Sequence, residues 1–212
     1  MRVTAEVKEA TNAAILAAAR SLFLEHGVEG TSTRDIAKAA GVGVGTVFNY
    51  FESKEHLALA IASAAFEQGR AAALERLDRD AAGESSLEMA LFTLVAGDLR
   101  ALAPLRTLVG RIVDGALGRG AGPASSPAGV IRAERVGDAE QLLARHGVEA
   151  SGALMHLYWS LYLGVLAFWS RDGSPKQEDS LAMLDQAIRM FTGVAAPGGT
   201  GGVGQTTSGD RT

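Results

Sequence analysis

Apolar residues recur along most of the chain at three- and four-residue intervals, the period of helices rather than the alternation of strands. In KEATNAAILAAARSLFLEH, residues 8–26, Ile15, Ala19, Leu22 and Phe23 share one face, and Gly27 is placed to end the helix as a left-handed cap. After VEGTS, the segment TRDIAKAA predicts a two-turn helix that Ser32 or Thr33 can cap and that stops at Gly41. VGTVFNYF fits a third short helix. A fourth, much longer one starts behind Ser53, whose hydroxyl can cap KEHLALAIASAAFEQGRAAALERL.

The helical period continues in SSLEMALFTLVAGDLRAL and LRTLVGRIVDGAL, divided at Pro104. GRGAGPASSPAG, residues 118–129, carries two prolines and four glycines and reads as a loop. IRAERVGDAEQLLARH then runs to Gly147, followed by the apolar SGALMHLYWSLYLGVLAFWS. The last helix is predicted to open on a capping box, with Ser174 as cap, Pro175 at the first helical position and Gln177 reaching back, and to run to Gly193. Residues 194–212 have almost nothing to bury and read as a disordered tail. The pattern is all-α: three short helices in residues 1–52, then a larger helical domain over 53–193.

Composition supports helix, because the 212 residues are rich in Ala, which loses no side-chain entropy in a helix. With no cysteine, a disulfide framework, a thiolate metal site and a cysteine nucleophile are excluded. No apolar stretch reaches the roughly 18 residues expected of a membrane span, and MRVTAEVKEA lacks a signal-peptide core, so the expected compartment is the cytoplasm. His26, His56, His146 and His156 are scattered without a spacing that pairs two on one helical face, so neither a metal nor another cofactor is expected. The net charge is −4, and the first 60 residues hold six Lys/Arg against seven Asp/Glu. Nucleic-acid contact here would require a local arrangement of groups and not a basic field.

AGVGVGTVFNYF, residues 40–51, has glycines at alternate positions, which raises the possibility of a phosphate-binding loop. A dinucleotide fingerprint would need a glycine where Thr46 stands, and a phosphate loop would need Gly-Lys-Ser/Thr; both are missing. The same residues satisfy a helix-turn-helix. Ala37 is the small contact in its first helix, Gly41 permits the turn, and Ile36, Ala40, Val42, Val47 and Tyr50 supply a shared core. Gly45, having no Cβ, lets the second helix lie close to a DNA backbone.

TSTRDIAKAAGVGVGTVFNYFESKEHL resembles the DNA-binding signature of TetR-type transcriptional regulators, over roughly residues 10–62. The resemblance implies about nine helices, dimerisation through the last two, and a small apolar or amphipathic effector bound within the larger domain. It implies a homodimeric repressor that binds double-stranded DNA at a palindromic operator. Matched by position, it puts Ser32, Thr33 and Arg34 at the start of a helix facing DNA, Val44, Gly45, Thr46, Phe48, Asn49 and Tyr50 on the recognition helix, and Lys54 at the next N-terminus. Gly43 stands where a capping Ser is usual, Val44 replaces a polar residue, and Phe48 replaces a Tyr. The recognition helix is therefore poor in hydrogen-bond donors, and base reading falls to Arg34 and to apolar contact with thymine methyls.

In the larger domain, Met89, Phe92, Leu105, Leu108, Ile112, Met155, Trp159 and Tyr162 are either core or the lining of an effector cavity. His156, in the apolar helix beside Tyr158 and Trp159, reads as a core histidine or a ligand contact, and Arg106 or Arg111 as a partner for an effector anion. Leu154, Leu161, Gly164, Val165 and Phe168 on one helix and Leu181, Leu184, Ile188 and Phe191 on the next form the expected dimer interface. A helical enzyme is the rival reading, but no nucleophile, base and orienter group together and no catalytic residue is expected. The other rival is a DNA-binding partner protein that has lost its effector.

Overall fold

The computed structural model describes residues 4–80, 85–106, 108–110, 113 and 127–195, and among them every regular element is a helix. The first four are α1 (Ala5–Gly30), α2 (Thr33–Ala39), α3 (Val44–Tyr50) and α4 (Lys54–Asp80). α5 (Leu87–Leu102) leads into a 3-10 turn at Ala103–Leu105. α6 (Pro127–Arg145), α7 (Gly152–Arg171), a second 3-10 turn (Pro175–Gln177) and α8 (Glu178–Ala195) follow.

α1, α2 and α3 form a small head around Ile15, Ala19, Phe23, Ile36, Ala37 and Val47, all buried. α4 packs against α1 and then continues into the larger bundle, so one apolar cluster runs through both parts. The division expected after residue 52 is thus spanned by the packing of α4. α4 and α5 come into backbone contact at two glycines: a Cβ on Gly69 would stand 2.9 Å from the carbonyl oxygen of Gly97. α5 in turn packs on α8, and Thr192 donates its hydroxyl to Glu88 at 3.0 Å.

Several local expectations change. Gly27 interrupts α1 at φ +72° and ψ 167°, but the helix takes one more turn to Gly30. Ser32, and not Thr33, caps α2. The expected loop at 118–129 gives way to helix at Pro127, and the rest of that loop lies outside the described residues. α8 continues past Gly193 to Ala195; the remainder of the expected tail, 196–212, is likewise outside them.

The capping box at Ser174 is replaced by a different latch. Asp172 accepts from the Ser174 amide at 2.7 Å and from the amide and hydroxyl of Ser180, while Ser174 Oγ accepts from the Asp179 amide at 3.1 Å. The hydrogen bonds from the Ser180 and Ser174 side hold the Asp172 carboxyl well below the usual range. Gln177 turns its carbonyl oxygen to the Trp169 indole, 2.6 Å away, instead of reaching back. α7 is, by length and composition alone, apolar enough to cross a membrane, contrary to the sequence reading. Its apolar side is used internally: Leu154, Met155, Tyr158, Tyr162, Val165, Leu166 and Trp169 are buried in the protomer.

Candidate nucleic-acid interface and effector cavity

The α2–α3 pair is fixed by local hydrogen bonds before any tertiary contact is counted. Ser32 Oγ accepts from the Asp35 amide and Asp35 Oδ2 accepts from the Ser32 amide, both at 3.2 Å, a reciprocal capping box. These bonds from Ser32 hold the Asp35 carboxyl below its ordinary value. At the turn Gly41 takes φ +68°, which a residue with a Cβ rarely adopts, and Val42 donates back to the Ala37 carbonyl at 3.0 Å. Ala40, Val42 and Tyr50 are half-buried beside the fully buried Ile36, Ala37 and Val47, as the helix-turn-helix reading requires.

The outer face carries the residues expected to meet DNA. Ser32, Arg34, Val44, Gly45, Phe48 and Asn49 are exposed, and Thr33, Thr46 and Tyr50 are half-buried. Phe48 exposes 54% of its surface, an unusual position for a large aromatic unless something covers it. A Cβ added at Gly45 meets nothing within 4 Å, so this face is open to close approach. Gly43 caps α3 without a side-chain hydrogen bond. Arg34 makes no ion pair or hydrogen bond among the described residues, and its guanidinium is free to reach outward.

Lys54 behaves differently from the expectation. Its ammonium donates to the carbonyls of Val28 (2.8 Å) and Thr31 (3.0 Å), so two of its three hydrogens close the end of α1 onto the start of α4. The third hydrogen is not used by these two bonds.

Residues 15–61 match the sequence profile described as bacterial regulatory proteins, tetR family. The DNA-binding head is thus similar to that of this family. It is 46% identical over 48 residues to the HTH-type transcriptional repressor AcnR of Corynebacterium glutamicum, a match covering 23% of this chain and only 26% of AcnR. The chain thus spans about a quarter of the length of that curated relative. Beyond the head, likeness is one of fold. A TetR transcriptional regulator from Rhodococcus sp. RHA1 superposes with a TM-score of 0.64 at 21% identity, covering 87% of this chain and 96% of that one. FadR of Thermus thermophilus, a TetR-family repressor solved with lauroyl-CoA, gives 0.64 at 22% identity, covering 85% of this chain and 93% of its own.

In the larger domain, the expected effector residues separate into several places. Trp159 and Tyr162 line a cavity of about 40 Å³ between α4, α6 and α7, together with Phe66, Ile131 and Leu166. Met89 and Phe92 line a separate groove outside α5. Leu105, Leu108 and Met155 are buried core residues, and Ile112 and Arg111 lie outside the described residues. His156 is neither core nor cavity lining: it is exposed, with Nδ1 2.7 Å from the Gly152 carbonyl oxygen. Arg106 is spent internally, donating to the Trp169 carbonyl at 2.9 Å and lying over its indole.

Behind the cavity lies a polar cluster that the sequence reading missed. Tyr162 donates to Asp98 Oδ2 at 2.8 Å, and Asp98 Oδ1 accepts from Arg135 Nη1 at 2.8 Å. Arg135 also approaches Asp138 at 3.6 Å, and Asp138 accepts from Arg70 Nε with both oxygens. Burial pushes the Asp98 carboxyl up to about 6, outweighing the opposing pull of Arg135. Burial also raises the hydroxyls of Tyr158 and Tyr162, and the Tyr158 hydroxyl has no hydrogen-bond partner among the described residues. The one available signal was Asp98 itself, an acid on the core side of the apolar ALFTLVAGDLRAL.

The dimer residues also divide. Leu154, Val165, Leu184, Ile188 and Phe191 are buried within the protomer, so they are its core and not a free interface. Leu161, Gly164, Phe168 and Leu181 reach the surface. Met183, Met190 and Val194 on α8, which the sequence reading passed over, are exposed along one side of the helix.

Proposed function

We propose that the protein is a ligand-responsive transcriptional repressor that binds a palindromic operator as a homodimer, within the cytoplasm and without enzymatic activity. The observation that carries this reading is the exposed, donor-poor face of α3 held on a buried α2–α3 core, with Arg34 unpaired at its edge. That face suits a major groove read by one guanidinium and by apolar contact with thymine methyls. Ser32, Thr33, Thr46, Asn49 and Tyr50 add short polar groups for phosphate and base edges, and the third hydrogen of Lys54 serves a phosphate.

Two copies associate through α7 and α8. Leu157, Leu161, Gly164 and Phe168 share one side of α7, and a Cβ at Gly164 would meet nothing, leaving room for a second helix. With Met183, Met190 and Val194, they form an apolar surface suited to a four-helix contact across a two-fold axis.

The effector enters the cavity beside Trp159 and Tyr162. At about 40 Å³ it is far smaller than the roughly 300–1,000 Å³ of a ligand site. Occupation therefore requires α4, α6 and α7 to separate, and the occupant must be largely apolar. Movement of α4 reaches the DNA head through Lys54, so the effector favours a state in which the two heads no longer match successive grooves. The test is an electrophoretic shift of the full-length protein on DNA from upstream of its own gene, with and without a library of apolar small molecules. A shifted band released by a subset of the library supports the reading. No shift on any fragment, in that region or in a genome-wide footprint, overturns it.

A further inference from the structure

Outside α5 lies a groove of about 380 Å³, separate from the smaller cavity beside Trp159 and within the size range of small-molecule sites. Its floor is apolar, with Phe92, Leu99 and Trp169. Three cations line it, Arg76 from α4, Arg100 from the last turn of α5 and Lys176 from the turn before α8, and no carboxylate is among its described lining residues. In a chain of net charge −4 this is a local reversal of sign. Arg100 and Lys176 are exposed, and neither forms an ion pair among the described residues.

Lys176 and Gln177 take φ +53° and +59°, a backbone region uncommon for residues with a Cβ. The turn that adopts it is held from both sides, by the Gln177 to Trp169 bond and by the Asp172 to Ser180 latch. The backbone at Lys176 is thereby held at the edge of an apolar groove. The groove is not the surface assigned to dimerisation. It is lined by Leu181, and at 100° per residue Leu181 and Met183 lie some 200° apart around α8, on nearly opposite sides.

We propose that this groove binds a single-chain amphipathic anion, its hydrocarbon along Met89, Phe92 and Leu181 and its carboxylate or phosphate between Arg100 and Lys176. An apolar trough rewards the chain by burial, and the paired cations select an anionic head over a neutral one. This goes beyond the effector reading, because the groove needs no separation of helices and its occupancy is measured without DNA.

Isothermal titration of the full-length protein with decanoate tests it, with 1-decanol as the neutral control. The variants are Arg100→Gln with Lys176→Gln, and separately Leu181→Glu; all three positions are exposed, and a circular dichroism melt checks each fold. We expect one decanoate per protomer, affinity roughly tenfold weaker in the double variant, at least as great a loss in Leu181→Glu, and weaker binding of decanol. Decanoate affinity unchanged in both variants would mean it binds elsewhere, such as the cavity beside Trp159, and overturns the proposal. Equal affinity for decanol, absence of saturable binding, or dissociation of a dimer by Leu181→Glu also overturns it.

Discussion

Lys54 lies with its ammonium 2.8 Å from the carbonyl oxygen of Val28, so the first residue of the long helix α4 holds the last turn of α1. The same nitrogen reaches Thr31, whose own hydroxyl donates to the Gly27 carbonyl at 2.8 Å. The kink at Gly27, the end of α1 at Thr31 and the start of α4 are thereby joined at one cation. A lysine at a helix N-terminus opposes the helix dipole, and these two carbonyls offset that misfit inside the protein before any phosphate is present.

Lys54→Met should therefore act first on stability. Removing two hydrogen bonds to a charged group and leaving two half-buried carbonyls unpaired should cost about 1–3 kcal/mol, read from a urea or thermal denaturation. Affinity for every DNA sequence should also fall, with the salt slope shallower by about one if the third hydrogen serves a phosphate. A variant as stable as the parent would show that the two contacts are not formed in solution.

Arg34→Ala should behave oppositely, because the guanidinium is exposed and unpaired and its removal leaves folding unchanged within about 0.5 kcal/mol. Its cost should appear in binding, about 1–3 kcal/mol concentrated at one base pair. Isotherms on operator variants at several salt concentrations report both quantities. A loss spread evenly over all sequences would make Arg34 a phosphate contact.

The proposed dimer makes a prediction that the sequence pattern alone would have aimed at the wrong residues. Phe168 and Met190 expose 43% and 57% of their surface, whereas Leu184 and Phe191 lie in the protomer core. Phe168→Glu with Met190→Glu should give a folded monomer at micromolar concentration in analytical ultracentrifugation, where the parent is a dimer. A parent that sediments as a monomer would remove the basis for a two-fold operator.

Sequence reasoning located the head well because its signals are local. Gly41 at the turn, a cap at Ser32 and the spacing of Ile36, Ala37 and Val47 each follow from a few adjacent residues. In the bundle, which face of an apolar helix is core depends on partners far along the chain. α7 and α8 are apolar on more than one side, so a period of 3.6 could not tell the buried Val165 from the half-buried Leu161. The contact of Gly69 with Gly97 was invisible for the same reason, as it joins residues on two different helices. The Asp98–Arg135 pair likewise needs α5 and α6 side by side before either charge has a partner.

The cluster behind the cavity gives the last prediction, a pH dependence with a definite sign. Arg135 has Asp98, Asp138, Glu67 and Glu134 within 4.0 Å, and Arg70 is bonded to Asp138, so four carboxylates share two guanidiniums. Arg135 therefore keeps carboxylate partners without Asp98, while ionised Asp98 bears the full cost of burial, which sets its carboxyl at about 6 in the folded protein. An unfolded chain would hold that group near its ordinary value of 3.8. A raised carboxyl means the folded state binds the proton more tightly, so this group adds stability as pH falls from about 6 towards 4, by up to about 1.4 kcal/mol per unit. Asp98→Asn cannot titrate. It should match or exceed the parent's stability at pH 7.5 and lose ground to it steadily between pH 6 and pH 4. The depressed Asp172 contributes in the opposite direction, losing stability as pH drops below 3.8, and is common to both proteins. Urea denaturation of parent and variant at pH 7.5, 6, 5 and 4 measures the difference directly. A difference that stays flat over that range, or a variant several kcal/mol weaker at pH 7.5, would make Asp98 the required partner of Arg135 and reverse the ranking of burial over pairing argued here.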